Sequence, residues 1–519
     1  MQFIEGKNRT QSILFPQSLD QIIGPDNEVR IIDLFVESIN PEDFHFVMKT
    51  TKEGRPAYHP KDLLKLFVYG YLNHIRSSRQ LEKECHRNIE LMWLMKQLTP
   101  DHNTISNFRR DNEKAVKKVF RYTVSIAKQF ELIGGKLIAG DSTKLRAQNS
   151  KKNNFNEGKI ERHIAYIDAK LEQYNKELES ADGDNKKIIE QEIKKHCGRK
   201  DDYENMQKQL EQSGEPQIST SDPESRQLIT RNNITEVAYS IQTVVDAKHY
   251  LPIDYKVTNE NDSRAMGSML RRTKTILGTA NFTALYDKGY HTGSEIKMAV
   301  TSGINIMVAI PAVASVAPDE RYNMSHFSYD ENNDTYICPQ GKIMTTNGNQ
   351  YQKSKNRHYY TVKHYKTIAC PGCPVRALCT KNTKGRLIER SEFAPYIEQN
   401  KQNIEAKPEL YKQRQSIVEH PYGTIKRQWG FYFVITKKGI KRASADVGLM
   451  FIAYNLRRLM NIIDQTVFKK FLKELALLFD EIPALVKVIS FKISHLVFSV
   501  QVTKVFSIPL RIASKLNYI

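Results

Sequence analysis

Apolar residues recur along this chain in three different rhythms, and each rhythm predicts a different kind of structure. Up to about residue 125 the spacing is helical. After Tyr58-His59-Pro60, the run Lys61-Asp62-Leu63-Leu64-Lys65-Leu66-Phe67-Val68-Tyr69-Gly70-Tyr71-Leu72 covers a wide helical face with apolar side chains. Ser77-Ser78-Arg79-Gln80-Leu81-Glu82 reads as a helix start with Ser at the cap. Thr99-Pro100-Asp101-His102-Asn103-Thr104-Ile105-Ser106-Asn107-Phe108 is a turn leading into a short helix that ends in Arg109 and Arg110. That arrangement suits a helix-turn-helix element. A small helical bundle with a basic surface is the plainer alternative.

From Lys136 the rhythm shortens. Leu137-Ile138-Ala139-Gly140 is a buried-strand run ending at Asp141. Val237, Tyr239, Ile241, Thr243 and Val245 alternate with smaller or polar residues. A turn at Asp246-Ala247-Lys248-His249 follows, and Leu251, Ile253, Tyr255 and Val257 alternate again, which predicts a β-hairpin. A helix near Ser263–Leu277 leads to the strand Phe282-Thr283-Ala284-Leu285-Tyr286, ending at Asp287. After another short helix, Ile304 to Ile310 reads as a strand closed by Pro311. Three opening strands followed by strands alternating with helices predict a mixed α/β layer.

The third rhythm belongs to two stretches that interrupt this layer. Ile160, Ile164, Ile167, Leu171, Tyr174 and Leu178 form a heptad seam, broken at Asp182-Gly183-Asp184 and followed by a second polar helix through Ile189, Ile193, Tyr203, Met206 and Leu210. The economical reading is an inserted helical hairpin over 151–221, serving as a structural or dimerising arm. The second interruption, 312–395, carries Cys338, the pair Cys370 and Cys373 in Cys-Pro-Gly-Cys, and Cys379. A tight Cys-x-x-Cys turn presents two thiolates to one ion, so a structural Zn²⁺ on these four residues is expected. His364 is a substitute for one thiolate, and inert cysteines or a redox pair are the alternatives. Cys85 and Cys197 stand alone and read as packed or surface thiols.

Charge changes the picture more than composition does. The chain carries 78 Lys+Arg against 58 Asp+Glu, a formal net charge of +20. Such an excess attracts polyanions, and for nucleic acid it supplies the sequence-independent part of affinity through counterion release. The paired Arg109 and Arg110 become candidate DNA contacts on this ground. The first residues lack the pattern of a signal peptide, and no run of about 18 apolar residues occurs. The nearest candidate, Val486 to Ile512, is interrupted by Lys487, Lys492, His495, Gln501, Lys504 and Arg511. Six cysteines in 519 residues do not suggest a secreted disulfide scaffold. A cytoplasmic, nucleoid-associated protein with no membrane partner is expected.

Three carboxylates stand out by position. Asp141, in Gly-Asp-Ser-Thr-Lys, and Asp287, in Tyr-Asp-Lys-Gly-Tyr, both end predicted strands, where α/β sheets open onto ligand crevices. Lys144 and Lys288 follow them, useful where phosphate must approach. Glu419 lies in Tyr411-Lys412-Gln413-Arg414-Gln415-Ser416-Ile417-Val418-Glu419-His420-Pro421-Tyr422-Gly423-Thr424-Ile425-Lys426. On a continuous helix Lys426 falls two turns beyond it, aligning a carboxylate with cations on one face. Pro421 predicts either a kink there or a new helix starting at the proline.

These motifs together resemble a DDE-type insertion-sequence transposase. The similarity runs from about Leu14 to Arg458, strongest in Pro100–Arg109, Gly140–Lys144, Asp222-Pro223-Glu224-Ser225-Arg226, Asp287-Lys288-Gly289-Tyr290 and Val418–Lys426. The family's Tyr-x2-Arg-x3-Glu-x6-Lys signature fits Tyr411, Arg414, Glu419 and Lys426, except that four residues separate Arg414 from Glu419. The resemblance implies an RNase H-like mixed sheet flanked by helices, with an N-terminal helical domain, the helical hairpin and a small zinc-ribbon-like insertion. It implies an N-terminal DNA-binding domain over 1–128, a catalytic domain over 129–463 interrupted at 151–221 and 312–395, and a tail over 464–519. Asp141, Asp287 and Glu419 would hold two Mg²⁺ (or Mn²⁺) ions that cut and join phosphodiester bonds. Lys144, Lys288, Arg414 and Lys426 would neutralise phosphates, and Trp429 would stack on an unpaired base unless it belongs to the core. The implied partners are double-stranded DNA, as element ends and target, and a second copy of the chain in the assembled complex. A different RNase H-like nuclease and a catalytically inactive zinc-bearing DNA-binding protein are the competing readings.

Overall fold

The computed structural model of the protein describes residues 17–48, 56–230, 234–312, 317–355, 358–436 and 438–480. The start of the resemblance at Leu14, and residues 481–519 of the expected tail with the apolar stretch Val486 to Ile512, lie outside this set. Helices come first: α1 (Leu19–Ile22), α2 (Glu28–Glu37), α3 (Pro60–Leu72), α4 (Ser78–Cys85), α5 (Ile89–Leu94), α6 (His102–Asp111) and α7 (Glu113–Gln129). Local chemistry sets several starts. Asp101 accepts hydrogen bonds from the backbone N–H groups of Asn103 and Thr104 at the head of α6, and Pro60 occupies the first turn of α3. Ser77 precedes α4 as expected, but its side chain makes no capping bond.

The mixed layer is built from β1 (Leu137–Arg146), β2 (Asn154–Phe155), α8 (Glu157–Glu179), α9 (Gly183–Ser213), β3 (Ile218–Ser219), β4 (Arg226–Ile229), β5 (Thr235–Asp246), β6 (Leu251–Thr258), α10 (Met266–Leu277), β7 (Thr283–Tyr286), α11 (Gly293–Thr301) and β8 (Asn305–Val308). Among the described residues the sheet has six strands. Along one direction they run β8, β7, β1, β5, and the long β5 carries both β6 and β4 on its far side. β1, β7 and β8 are parallel, while β5 is antiparallel to β1, β4 and β6. The hairpin α8–α9 leaves the sheet after β1, and the β2–β3 ladder clasps its base. Phe155, Ile160 and Leu210 fill that base, packed by Ile164, Tyr203 and Met206, so the heptad seam closes on its partner helix.

The second insertion contains β9 (Ser328–Asp330), β10 (Thr335–Ile337), β11 (Ile343–Lys355), β12 (His358–Lys366), α12 (Arg376–Cys379) and β13 (Ile388–Ser391). Its strands form an antiparallel sheet in the order β13-β12-β11-β10-β9, around Phe327, Tyr336, Met344, Tyr365 and Ile388. The small ribbon expected here is thus a five-stranded sheet with its own core. The chain returns through α13 (Ala394–Ala406) and α14 (Pro408–Tyr422), continues as a π-helical turn (Gly423–Gln428), and ends in α15 (Ile440–Ile462) and α16 (Gln465–Asp480).

One hydrophobic core runs from Ile23 to Leu475 and joins the N-terminal helices to the sheet. Its axis is α15, buried along nearly its whole length against α7, α3 and β6. No packing boundary therefore falls at residue 128, where the sequence suggested one domain ends. Asp446, fully buried on α15, accepts from the Tyr71 hydroxyl and the Ile435 N–H, and lies 3.5 Å from Arg76 and 3.9 Å from Arg109. This corrects the expectation for Arg109. Its guanidinium is 4% exposed and donates to the Tyr71 hydroxyl and the Arg76 carbonyl, so it ties helices together instead of facing DNA. Arg110 is exposed and paired with its neighbour Asp111 at 2.6 Å. Among the described residues, no helix is long and apolar enough to cross a membrane.

Candidate active site

Strand register brings Asp141 and Asp287 together. In the parallel pair β1–β7, Ala139 stands beside Leu285. Two residues further on are Asp141, which lies inside β1 and does not end it as expected because the strand runs on against β5 to Arg146, and Asp287, just past the end of β7. Side chains alternate along a strand, so both aspartates project to the same face as Ala139 and Leu285. That face is covered by α14, through Ile417 and Val418. The pairing is tight because Gly140 has no side chain: a Cβ there would lie 2.1 Å from the Tyr286 ring, which packs across it.

Tyrosines fasten α14 over this point. The Tyr422 hydroxyl donates to the Asp141 carbonyl at 3.0 Å, and the Tyr411 hydroxyl donates to the Tyr286 carbonyl at 3.0 Å. Between them Arg414 reaches down to the Asp141 carboxylate at 3.3 Å. Burial pushes the Asp141 carboxyl up to about 6, with Arg414 opposing the shift and Asp287 and Asp262 adding to it. Asp287 accepts from the Gly289 N–H at 2.8 Å, which starts the short 3-10 turn Lys288–Tyr290.

Behind the aspartates lies a polar chain that sequence reasoning missed. Lys144 is turned to the opposite face with Gly140 and Ser142. Its ammonium donates to Ser142 Oγ at 2.8 Å, Ser240 Oγ at 2.8 Å and Asp262 Oδ1 at 3.0 Å. Gln242 Nε2 donates to the same Asp262 oxygen at 2.7 Å, and the Tyr290 hydroxyl donates to Gln242 Oε1 at 2.5 Å. Lys144 is therefore corrected from a phosphate contact to an internal cation, because strand alternation points it away from the aspartates. No periodicity marks Asp262, which sits in the polar turn Asn259-Glu260-Asn261-Asp262.

The remaining expected residues divide. Glu419 is exposed and accepts from Gln415 Nε2 at 2.9 Å on its own helix. Among the described residues, no three His, Cys, Asp or Glu side chains stand close enough to hold a metal ion. In this arrangement Glu419 does not join the two aspartates. No new helix starts at Pro421; α14 runs through it to Tyr422 and widens into the π turn. That turn changes the phase, so Lys426 does not share a face with Glu419. Its ammonium instead donates to Thr143 Oγ1 at 3.0 Å and the Lys144 carbonyl at 3.2 Å, on the rim of the site. Lys288 is exposed beside Asp287. Trp429 packs among His74, Phe431 and Tyr454, so it belongs to an aromatic cluster of the core and not to the crevice.

Cys338, Cys370, Cys373 and Cys379 are free thiols lining one small cavity of the second insertion. The Cys373 N–H donates to the Cys370 carbonyl at 3.1 Å, which makes the tight turn expected of Cys-x-x-Cys. Gly385, at φ +95°, packs so closely on Cys370 that a Cβ would lie 2.3 Å away. His364 lies outside this cavity, stacked 4.1 Å from Tyr351 with its Nε2 3.5 Å from Glu389.

With this geometry in place, similarity to known proteins gives it context. A family model described as Transposase domain (DUF772) matches residues 17–111, and one described as Transposase DDE domain matches residues 337–460. No curated protein matches the chain. A cryo-EM structure of the piggyBac transposase synaptic complex with hairpin DNA aligns over 94% of this chain and 89% of that one, at 10% identity. Its TM-score of 0.27 is too low for the superposition to carry any argument. The two family matches flank the segment that bears Asp141 and Asp287, and together they indicate a DDE-type insertion-sequence transposase, a family of DNA-recombining enzymes that in general use divalent metal.

Proposed function

We propose that this chain is a bacterial-type transposase that binds the terminal inverted repeats of its element, hydrolyses the DNA at their ends and joins the freed 3′-hydroxyls to target DNA. The observation that carries the reading is that Asp141, midway along β1, and Asp287, just past the end of β7, each lie two residues beyond the paired Ala139 and Leu285 of these parallel strands, beneath α14. The sheet, in which β1 is antiparallel to β5 on one side and parallel to β7 and then β8 on the other, supports an RNase H-like core. The catalytic portion would span 129–463, with insertions at 151–221 and 312–395, the helices of 1–128 serving DNA recognition and 464–519 as a tail.

The two aspartates fit a divalent ion. They offer hard oxygen donors side by side, and burial leaves Asp141 short of compensating charge except for Arg414. Mg²⁺ or Mn²⁺ bound there supplies activation of the attacking oxygen and stabilisation of the leaving one. Glu419 is retained as the third ligand of the assembled DNA complex; its exposure leaves it accessible from solvent. Arg414 and Lys426 border the aspartates and would neutralise the scissile phosphate, with Lys288 and Arg110 meeting the DNA backbone further out. The arm α8–α9 would serve a homodimer. Structural zinc on the four cysteines rests on their convergence at one cavity, a donor set this ion favours, although they do not close to ligand distance in this arrangement.

The test uses duplexes carrying the inverted repeats that flank the coding region, a supercoiled plasmid and Mg²⁺. Pre-cut duplexes should become covalently joined to the plasmid. Asp287→Ala should bind the duplex as the parent does and neither nick nor join it. Nicking without any joined product would make the protein a nuclease on the same fold, and undiminished nicking by Asp287→Ala would remove the site assignment.

A further inference from the structure

Each aspartate is followed three residues later by a side chain engaged in the same buried chain of hydrogen bonds. Lys144 follows Asp141, and Tyr290 follows Asp287. From one side, Lys144 donates to Asp262 Oδ1. From the other, Tyr290 donates to Gln242, and Gln242 donates to that same oxygen. Ser240, Gln242 and Tyr290 are all buried, at 0%, 1% and 0% exposure, so water competes little for the Tyr290–Gln242 link, while Lys144 and Asp262 are part-buried at the outer end of the chain. The 3-10 turn bearing Asp262 (Asp262–Arg264) packs directly on the turn Lys288–Tyr290. At their contact Gly289 has carboxylates on either side. A Cβ there would lie 3.1 Å from Asp287 Oδ1 and 3.8 Å from Asp262 Oδ2.

We propose that Asp262 is a positioning residue of the reaction centre, joining the strand that carries Asp141 to the turn that carries Asp287 through Lys144 on one side and Gln242–Tyr290 on the other. The inference rests on the reading of Asp141 and Asp287 as the reacting pair. Asp262 itself is not a metal ligand in this arrangement: its Oδ1 is committed to Lys144 and Gln242, and no three acidic groups stand within reach of one ion among the described residues. Its work is to fix separation. β1 and β7 pair only through Leu137, Ile138 and Ala139, and Asp141 and Asp287 lie just beyond the last paired residues. Beyond that point the polar chain takes over from the ladder in holding the two segments at a set spacing. Small displacements of reacting groups are costly, and loss of a partner that orients a metal ligand typically lowers affinity or activity by about 10–100-fold. A carboxylate suits the position because it neutralises the Lys144 ammonium while accepting from two donors at once.

The experiment compares Asp262→Ala, Asp262→Asn and Tyr290→Phe in the full chain, with wild type and Asp287→Ala as references. It measures kcat and KM for nicking the element-end duplex, the Mg²⁺ concentration giving half-maximal rate, and the melting temperature. Asp262→Ala should lower kcat by about 10–100-fold and raise the Mg²⁺ requirement, with KM for DNA unchanged. Asn offers the same accepting oxygen, so Asp262→Asn should recover most of the rate. Tyr290→Phe keeps the ring and deletes one link, so it should lower kcat while the melting temperature stays within a few degrees, which covers the case in which Asp262→Ala does not fold. Wild-type kinetics in Asp262→Ala, or in Tyr290→Phe, would overturn the proposal. So would equal loss in the Asn and Ala variants, which would make Asp262 a ligand. If Asp287→Ala also nicks normally, the site assignment fails and not the role of Asp262.

Discussion

Burial pushes the Asp141 carboxyl up to about 6, while the Arg414 guanidinium 3.3 Å away pulls it back. A carboxyl whose folded value lies above its ordinary 3.8 binds protons more tightly in the native state. The stability this contributes is complete below about pH 4 and is lost as the pH rises through 6. At neutral pH, without metal, the ionised carboxylate therefore costs stability. Asp141→Asn in the presence of chelator should raise unfolding free energy at pH 7.5 by about 1–3 kcal/mol and change it little at pH 4, measured by urea denaturation. A less stable Asn variant at pH 7.5 would mean that the carboxylate is not desolvated as described. At this scale the sequence is informative where position marks a residue. Asp141 and Asp287 are recognisable because each closes an apolar strand run. Asp262 is not, since an aspartate in a polar turn looks like any other until a lysine and a glutamine from two strands converge on it. Arg109 misleads for a related reason: an arginine late in a short helix reads as surface, yet its partner Asp446 lies over 300 residues away in the chain.

At the scale of elements, α14 is the piece on which the site depends. Its two tyrosine hydroxyls grip the backbone of β1 and β7 beside the aspartates, and the Tyr411 hydroxyl spans the same helix face as Arg414 and Val418. A buried neutral hydrogen bond contributes about 1 kcal/mol net. Tyr411→Phe and Tyr422→Phe should each lower stability by about that much, and the double variant by about the sum, because the two anchors share no partner. A cost near zero for both would show that apolar packing of Ile417 and Val418 holds the helix unaided. The strands β1, β5, β6, β7 and β8 and the hairpin α8–α9 all follow from spacing, the strands as apolar runs or alternations that are buried on both faces and the hairpin as a one-sided seam. What spacing does not convey is the π turn after Pro421. A proline removes one backbone donor and permits a wider turn, but whether the helix kinks, stops or widens is decided by what Ile425 and Lys426 meet on the sheet. The strands β11 and β12 are equally hard to read, because their runs of Thr, Gln, Lys and Tyr lack a clean alternation, β11 being largely exposed and β12 mostly part-buried.

Across the whole molecule, a single core explains why the N-terminal helices and the sheet are not independent. α15 lies between them, so a boundary drawn from the change of rhythm near residue 128 divides the sequence without dividing the packing. The chain's net charge of +20 contrasts with the pair of carboxylates, Asp141 and Asp287, at the candidate site. That contrast suits an enzyme that draws in a polyanion and handles it with cations. The central claim is that Asp141 and Asp287 hold the same divalent ions, and Fe²⁺ reports on it directly. Bound in place of Mg²⁺ with ascorbate and peroxide, it generates radicals that cut nearby backbone. The full-length protein should be cleaved close to both Asp141 and Asp287, and excess Mg²⁺ should suppress both cuts together. Cleavage near neither aspartate, or cuts that Mg²⁺ suppresses independently, would contradict a shared site.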